Sequence, residues 1–95
     1  ITSYKVQEFS ELVFQYYFYI EAEDKPGVMA SITSLMASKQ VGIESIVQKE
    51  ELDENCVPII LITDPFKERD HSELHKELLT LKSVKNIRSI RIESN

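Results

Sequence analysis

The stretch YYFYIEAEDKPGVMASI, from Tyr16 to Ile32, contains the pattern that decides the fold. Its first half alternates apolar and polar residues with a period of two, which predicts a β-strand from Tyr16 to Glu23. Its second half switches to helical spacing immediately after Pro26-Gly27. The stretch therefore predicts a strand, a sharp Pro-Gly turn and a helix, and the apolar stripe of that helix comprises Val28, Ile32, Leu35 and Met36.

The rest of the chain contains three more strands and one more helix by the same criteria. Gly42 is expected just beyond the C-terminal end of the first helix. The second strand is polar enough for a sheet edge, whereas the third is apolar on both faces, which is typical of a covered central strand. The predicted segments are strands at 43–50, 56–64 and 86–93 and a helix that begins at Asp70 or Ser72 and runs through Lys82.

The order of elements is therefore βαββαβ, which predicts an α+β, ferredoxin-like fold. Right-handed connections place both helices on one face of a four-stranded antiparallel sheet with strand order 4-1-3-2. The other face is left uncovered, although Tyr17 and Tyr19 point towards it and the third strand is apolar there. Such a surface predicts self-association, which we expect to be a homodimer through the sheet.

Length and composition restrict the domain organisation and the partners. A chain of 95 residues suffices for one small domain, and we expect residues 1–15 to be a linker from a preceding, absent domain and residues 16–95 to form the domain. The net charge of −5 argues against nucleic acid, and no apolar run is long enough for a membrane helix. Cys56 is the single cysteine, which favours a buried thiol in the cytoplasm.

The Pro-Gly turn places backbone donors at the start of a helix. The N–H groups of Gly27, Val28 and Met29 are expected to be uncapped there, and such groups attract carboxylates and phosphates. Asp24, just upstream, is placed to hold an ammonium group or to cap the helix. A donor set for an anion beside an acceptor for a cation matches an α-amino acid. The residues alone favour the plainer interpretation, in which Pro-Gly only makes the turn and Asp24 only caps the helix.

No pattern in the sequence points to catalysis or to a metal. His71 and His75 are four residues apart on the second predicted helix and share a face, but no third ligand accompanies them, so a solvated pair is expected. No nucleophile with a base and no glycine-rich phosphate loop is present. We therefore expect no catalytic residue, no metal ligand and no enzyme activity in this domain.

The segment AEDKPGVMASITSLMASKQVGIESIVQKE, residues 22–50, resembles the first half of an ACT domain, a βαββαβ regulatory module. The matching features include Asp24, Pro26-Gly27-Val28 and the Gly42-Ile43 pair. Tyr16-Tyr17, the stretch IESIVQKE at 43–50 and NIRSIRIES at 86–94 are similar, more narrowly, to the ACT domain of homoserine dehydrogenase. The resemblance covers most of the chain, from Tyr16 to Ser94. Met29 departs from the family, which more often has Leu there.

The resemblance implies a function and a site. An amino acid effector, threonine in this family, would bind between two copies of the domain and inhibit the host oxidoreductase by feedback. No cofactor is expected in this domain, and NAD(P) is expected only in the absent catalytic domain. The alternatives are an ACT domain of another amino-acid enzyme with a different effector, or a dimerisation module without a ligand. The implied effector-binding residues are Asp24, Gly27, Val28 and Met29 on the turn side and Ile46 and Gln48 on the strand side.

Overall fold

The structure is a computed structural model that describes residues 9–51 and 55–92. Seven elements, two helices and five strands, are defined within these ranges. No helix in these two ranges is long and apolar enough to cross a membrane. The elements are β1 (Val13–Glu23), α1 (Val28–Ser38), β2 (Ile43–Gln48), β3 (Cys56–Thr63), β4 (Phe66–Lys67), α2 (Glu68–Leu79) and β5 (Val84–Ile92).

The strands form one antiparallel sheet with β1 at its centre. β1 pairs with β3 on one side and with β5 on the other, and β2 pairs with the far side of β3. The order β2-β3-β1-β5 confirms the predicted ferredoxin-like topology. The structure adds one short strand, because β4 pairs with Val13 and Phe14 at the start of β1.

Both helices pack on one face of the sheet, which we call the closed face. Tyr16, Phe18, Ile20 and Ala22 of β1 point into it and are fully buried. Burying a large apolar side chain of this kind contributes about 1.5–3 kcal/mol to folding. The strict alternation of β1 therefore determines which of its side chains enter the core. The same core contains Ile59 and Leu61 of β3, Ile32 and Met36 of α1, and Leu74 and Leu78 of α2.

Several element boundaries differ from the prediction. β1 begins at Val13, three residues before the predicted Tyr16, because its first residues pair with β4. The predicted linker at 1–15 therefore overlaps the sheet, and its residues 1–8 lie outside the described ranges. The prediction that Asp70 or Ser72 caps the second helix is wrong, since α2 begins at Glu68, where the Glu68 N–H donates to the carbonyl of Leu12 at 2.9 Å.

The C-terminal end of α1 also differs from the expectation. Gln40, not Gly42, adopts the left-handed conformation beyond the helix, with φ of 59°. Gly42 lies close to Asp64 instead: a Cβ at position 42 would meet the exposed Asp64 carboxylate, which would have to turn away. The Asp64 N–H donates to the Gly42 carbonyl at 2.9 Å. Gly42 therefore permits a close contact between the start of β2 and the end of β3.

Candidate functional site

The start of α1 is held open by its backbone conformation. Gly27 is the N-cap residue with φ of 87°, and no side chain of the described residues caps the helix. The Val28 N–H makes a long turn bond of 3.4 Å to the carbonyl of Lys25. Helix geometry leaves the N–H groups of Gly27, Met29 and Ala30 without an intrahelical acceptor. These three donors, rather than the predicted Gly27, Val28 and Met29, therefore mark the positive end of the helix dipole.

Asp24 lies beside this helix start. The residue is exposed, and its N–H donates to the carbonyl of Asn55 at 3.1 Å. Because no described side chain caps α1, the interpretation of Asp24 as a helix cap is wrong. The exposed Asp24 side chain therefore precedes the N-cap residue Gly27 by three positions and does not cap the helix.

A shallow cavity of about 330 Å³ opens on the other side of the turn. Glu23, Lys25, Asn55 and Lys85 line it. Glu23 and Lys25 form an ion pair with an N–O distance of 2.7 Å. The hydrogen bond from Lys25, aided by the charge of Lys85, lowers the pKa of Glu23 below its ordinary value. The turn therefore presents both signs of charge to solvent within a few residues.

The side chains of the turn are not equally available. Val28 has only 5% of its surface exposed and belongs to the core, so its side chain does not reach a ligand. Met29 is partly buried against the same core. Gly27 has no atom within 4 Å of the position where a Cβ would stand. The turn side of the predicted site consequently offers backbone groups and open space rather than side chains.

The strand side of the predicted site lies on β2, the edge strand. Ile46 pairs with Leu61 and Gln48 pairs with Ile59, so both side chains point to the closed face. Ile46 packs against the core, while Gln48 is exposed at the end of the strand. Within a single chain, Gln48 does not lie next to the Pro-Gly turn. β3 and then β1 stand between them, and each strand spacing adds about 4.8 Å.

A polar cluster that the sequence did not reveal lies between α2 and the sheet. The Ser89 hydroxyl of β5 is 2.9 Å from His71 Nε2 and 3.1 Å from His75 Nδ1. The His71 ring stacks on Tyr16 with a centroid distance of 4.0 Å, and the Tyr16 hydroxyl donates to Glu68. The expectation of a solvated histidine pair is therefore wrong: the i, i+4 spacing put both rings on one face, but that face packs on β5.

The surroundings of His71 disfavour its charged form. Desolvation by burial is the main cause, followed by the charges of His75 and Arg91, and together they lower the pKa of His71 to about 4. Its Nδ1 lacks a hydrogen-bond partner among the described residues, and the nearest oxygen of Glu68 is 3.9 Å away. His71 is accordingly held in its neutral form, and the cluster joins α2 to β5 through the Ser89 hydroxyl.

No metal site accompanies these features. Within residues 9–51 and 55–92, no three His, Cys, Asp or Glu side chains converge in a way that could hold a metal ion. Cys56 is a free, buried thiol at the start of β3. The features that remain for ligand chemistry are the open start of α1, Asp24 beside it and the edge strand β2.

The fold with this turn and this edge strand is that of an ACT domain. The chain superimposes on the ACT domain from GTP pyrophosphokinase of Chlorobium tepidum with a TM-score of 0.68 at 19% identity, covering 83% of this chain and 100% of the other. An ACT domain protein from Streptococcus pneumoniae gives a TM-score of 0.64 at 17% identity, covering 82% of this chain and 89% of the other. At these identities the likeness concerns the fold alone.

The relatives with closer sequences are homoserine dehydrogenases. A homoserine dehydrogenase from Pseudomonas aeruginosa is 36% identical over 80 residues, which are 82% of this chain and 18% of that protein. The enzyme of the same name from Neisseria gonorrhoeae is 32% identical over 85 residues, which are 88% of this chain and 20% of that protein. The crystal structure of a homoserine dehydrogenase from Thiobacillus denitrificans superimposes with a TM-score of 0.77 at 30% identity, covering 90% of this chain and 19% of that one.

The chain is an ACT-like domain similar in sequence and structure to one part of homoserine dehydrogenases, which confirms the resemblance inferred from the sequence. It spans about a fifth of the length of the relatives it matches. No protein-family model matches the sequence.

Proposed function

We propose that this domain senses an amino acid and regulates a homoserine dehydrogenase by feedback, with threonine as the effector. The observation that carries the proposal is the start of α1, where no described side chain caps the amides of Gly27, Met29 and Ala30 and the exposed Asp24 precedes Gly27 by three residues. An α-carboxylate is favoured at the positive end of a helix dipole. An α-ammonium group is favoured beside Asp24.

The effector also requires a neighbouring copy. Gln48 offers an amide that can both donate to and accept from the effector, yet it lies two strands away from the turn in its own chain. Ile46 and Gln48 are on β2, whose outer edge is unpaired among the described residues. We place the effector between the turn of one copy and the β2 edge of another, in a homodimer that joins the two sheets at this edge.

Inhibition would follow from linkage between binding and assembly. An effector held by two copies stabilises the relative arrangement in which both halves of the site meet. It changes the attached catalytic domains only through its different affinity for their two arrangements. Coupling of about 1–3 kcal/mol is typical of allosteric proteins and suffices for useful inhibition.

The oxidoreductase chemistry belongs to another part of the host enzyme. Gly27 and Gly42 are the two glycines of the chain, so it lacks the Gly-x-Gly-x-x-Gly turn that holds a dinucleotide. The residues present do not fit NAD(P), and we assign that cofactor to the catalytic domain. We further propose a cytoplasmic location, which the free thiol of Cys56 favours.

Calorimetry with a panel of amino acids tests the effector. We expect heat of binding from threonine and about tenfold weaker affinity in Gln48→Ala, since one lost hydrogen bond is worth about 1.4 kcal/mol. Lys49→Ala, the next exposed residue, is the matched control and should bind normally.

Other results would select the alternatives. Heat from a different amino acid would indicate an ACT domain of another specificity, and no heat from any would indicate a dimerisation module without a ligand. Unchanged threonine affinity in Gln48→Ala would remove Gln48 from the site.

A further inference from the structure

The face of the sheet away from the helices, which we call the open face, contains a shallow depression of about 270 Å³. Its lining includes Tyr17 and Tyr19 of β1 and Arg88 and Ile90 of β5. Tyr17 pairs with Ile90 and Tyr19 pairs with Arg88, so these four residues are direct neighbours across the two strands. The tyrosines point away from the helices, because Phe18 between them is buried in the core.

The floor of this depression is aromatic and apolar. Tyr17 and Tyr19 are partly exposed there, and Ile90 has 63% of its surface exposed. Successive residues on one face of a strand are about 7 Å apart, which is also the length of two fused aromatic rings. A flat ring system of this size can therefore stack over both tyrosines at once.

Arg88 supplies a positive charge at the side of this floor. Its guanidinium lies 5.5 Å from the centre of the Tyr19 ring, and within residues 9–51 and 55–92 it forms no ion pair. Glu21, the next residue of β1 on the open face, instead accepts a hydrogen bond from Asn86 at 3.1 Å. A guanidinium without a carboxylate partner is suited to bind a carboxylate or phosphate through two parallel N–H groups.

We propose that this depression binds a small anion with a planar, fused aromatic ring, which stacks on Tyr17 and Tyr19 and places its carboxylate or phosphate against Arg88. Sites for drug-sized ligands have about 300–1,000 Å³, so a volume of about 270 Å³ suits a ligand of two rings. The net charge of −5 disfavours a polyanion, which favours a small ligand over a nucleic-acid strand.

The depression is separate from the proposed effector site. Ile46 and Gln48 point to the closed face, and α1 packs on that same face. Threonine has no ring that could cover the tyrosines. Pairing of two copies at the β2 edge extends the sheet sideways and leaves the open face accessible to a ligand. The proposal therefore does not depend on threonine sensing.

Calorimetry with matched probes tests this site. Adenosine monophosphate joins a fused ring to a phosphate, and indole-3-acetate joins a fused ring to a carboxylate. We expect heat from at least one of these probes, and the one that binds identifies the anionic group. Adenosine has the ring without the charge, and phosphate and acetate have the charge without the ring. These three controls should bind at least about tenfold more weakly, since each lacks one of the two contacts.

Two variants test the assigned contacts. Arg88→Gln should weaken binding of the bound probe about tenfold, because it removes the charge-assisted hydrogen bonds. Lys85→Gln removes the same charge from β5 outside the depression and is the matched control, which should bind normally. Tyr19→Leu keeps an apolar side chain but removes the stacking, and it should also weaken binding. Circular dichroism verifies that each variant is folded.

Three results would overturn the proposal: no heat from either ring-bearing anion at millimolar concentration, equally tight binding of phosphate or acetate, or unchanged probe affinity in either folded variant. Threonine titrated into the same proteins reports separately on the effector site. Threonine binding without binding of the aromatic anions would refute only the present proposal, and the reverse result would refute only the effector proposal.

Discussion

The two helices cover the same face of the same sheet, yet their first turns differ in charge. The first turn of α2 carries Glu68 and Asp70, and its last turn carries Lys76. These charges oppose the helix dipole at both ends and stabilise the helix by themselves. α1 has no acid in its first turn and no base in its last. The comparison teaches that charged side chains of α2 compensate the dipole at both of its ends. The positive end of α1 has no such compensation from its own first turn.

The inner faces of the helices differ as well. α1 contributes apolar side chains such as Ile32 and Met36, and α2 combines Leu74 and Leu78 with the polar cluster around His71. Lys39, just beyond α1, bonds Glu73 of α2 at 2.8 Å and also contacts Glu77. These two carboxylates raise the pKa of Lys39 above its ordinary value. The C-terminal end of α1 is thus joined to α2 by ion pairs, while no described side chain caps its N-terminal end.

The largest expected effect is a loss of unfolding free energy in acid, and it should come from His71 on α2. The pKa of His71 is about 4 in the folded chain, below the ordinary value of 6.5. Above pH 6.5 the ring is neutral in both states. Between pH 6.5 and 4 the unfolded chain gains a proton that the folded chain does not, so stability is lost as the pH falls. The full shift converts to about 3 kcal/mol, and partial exposure of the ring reduces it to about 2 kcal/mol.

Urea unfolding at several pH values measures this loss. His71→Gln should be less stable at neutral pH, because it loses the stacking on Tyr16, but its stability should fall less between pH 6.5 and 4. Parallel curves for the wild type and His71→Gln would show that α2 contains no acid-sensitive contact at His71.

The backbone at the start of α1 should give the next largest effect. Gly27→Ala forces a Cβ into a left-handed conformation and should cost about 1 kcal/mol of unfolding free energy. No neighbouring atom would meet that Cβ, so the cost is purely conformational. Gly27→Asn is the control and should cost less, because Asn tolerates this conformation. Equal unfolding midpoints for the wild type and Gly27→Ala would mean that the turn is not constrained as described.

The smallest expected effect comes from giving α1 the acid that α2 already has. Ala30→Glu places a carboxylate in the exposed first turn and should stabilise the unliganded chain by about 0.5 kcal/mol. It should also weaken threonine binding, since it competes for the same amides. Ala37→Glu, in the exposed last turn, is the matched control and should give no gain. A similar gain from both variants would remove the role we assign to the helix dipole.

The sheet could be predicted because its signals are local. Alternation in β1 identified the core face, and the two apolar faces of β3 placed it next to β1 in the interior. The family resemblance rested on the same local pattern around Pro26-Gly27. The sequence analysis expected the amide of Val28 to be uncapped, whereas the Lys25 carbonyl accepts from it. A competing turn bond of this kind leaves no trace in the spacing of residues.

What could not be predicted depends on contacts between distant segments. α2 begins at Glu68 because β4 pairs with β1 and the Glu68 N–H meets Leu12, and two strand residues form no period. The histidine cluster required knowing that Ser89 faces α2. Helical spacing alone shows that two side chains share a face, but it does not show what that face packs on.

The central place of β1 has a consequence for how the domain is made. Its second neighbour, β5, is the last strand described, and Gln15 pairs with Ile92. During synthesis β1 pairs with β3 alone until about thirty residues beyond β3 have left the ribosome, and such long-range pairing slows folding. Until then one edge of the most apolar strand pair stands open, and it can join the wrong chain. A cell that overproduces this protein should therefore meet its aggregation hazard before the last strand arrives, and not after the sheet has closed.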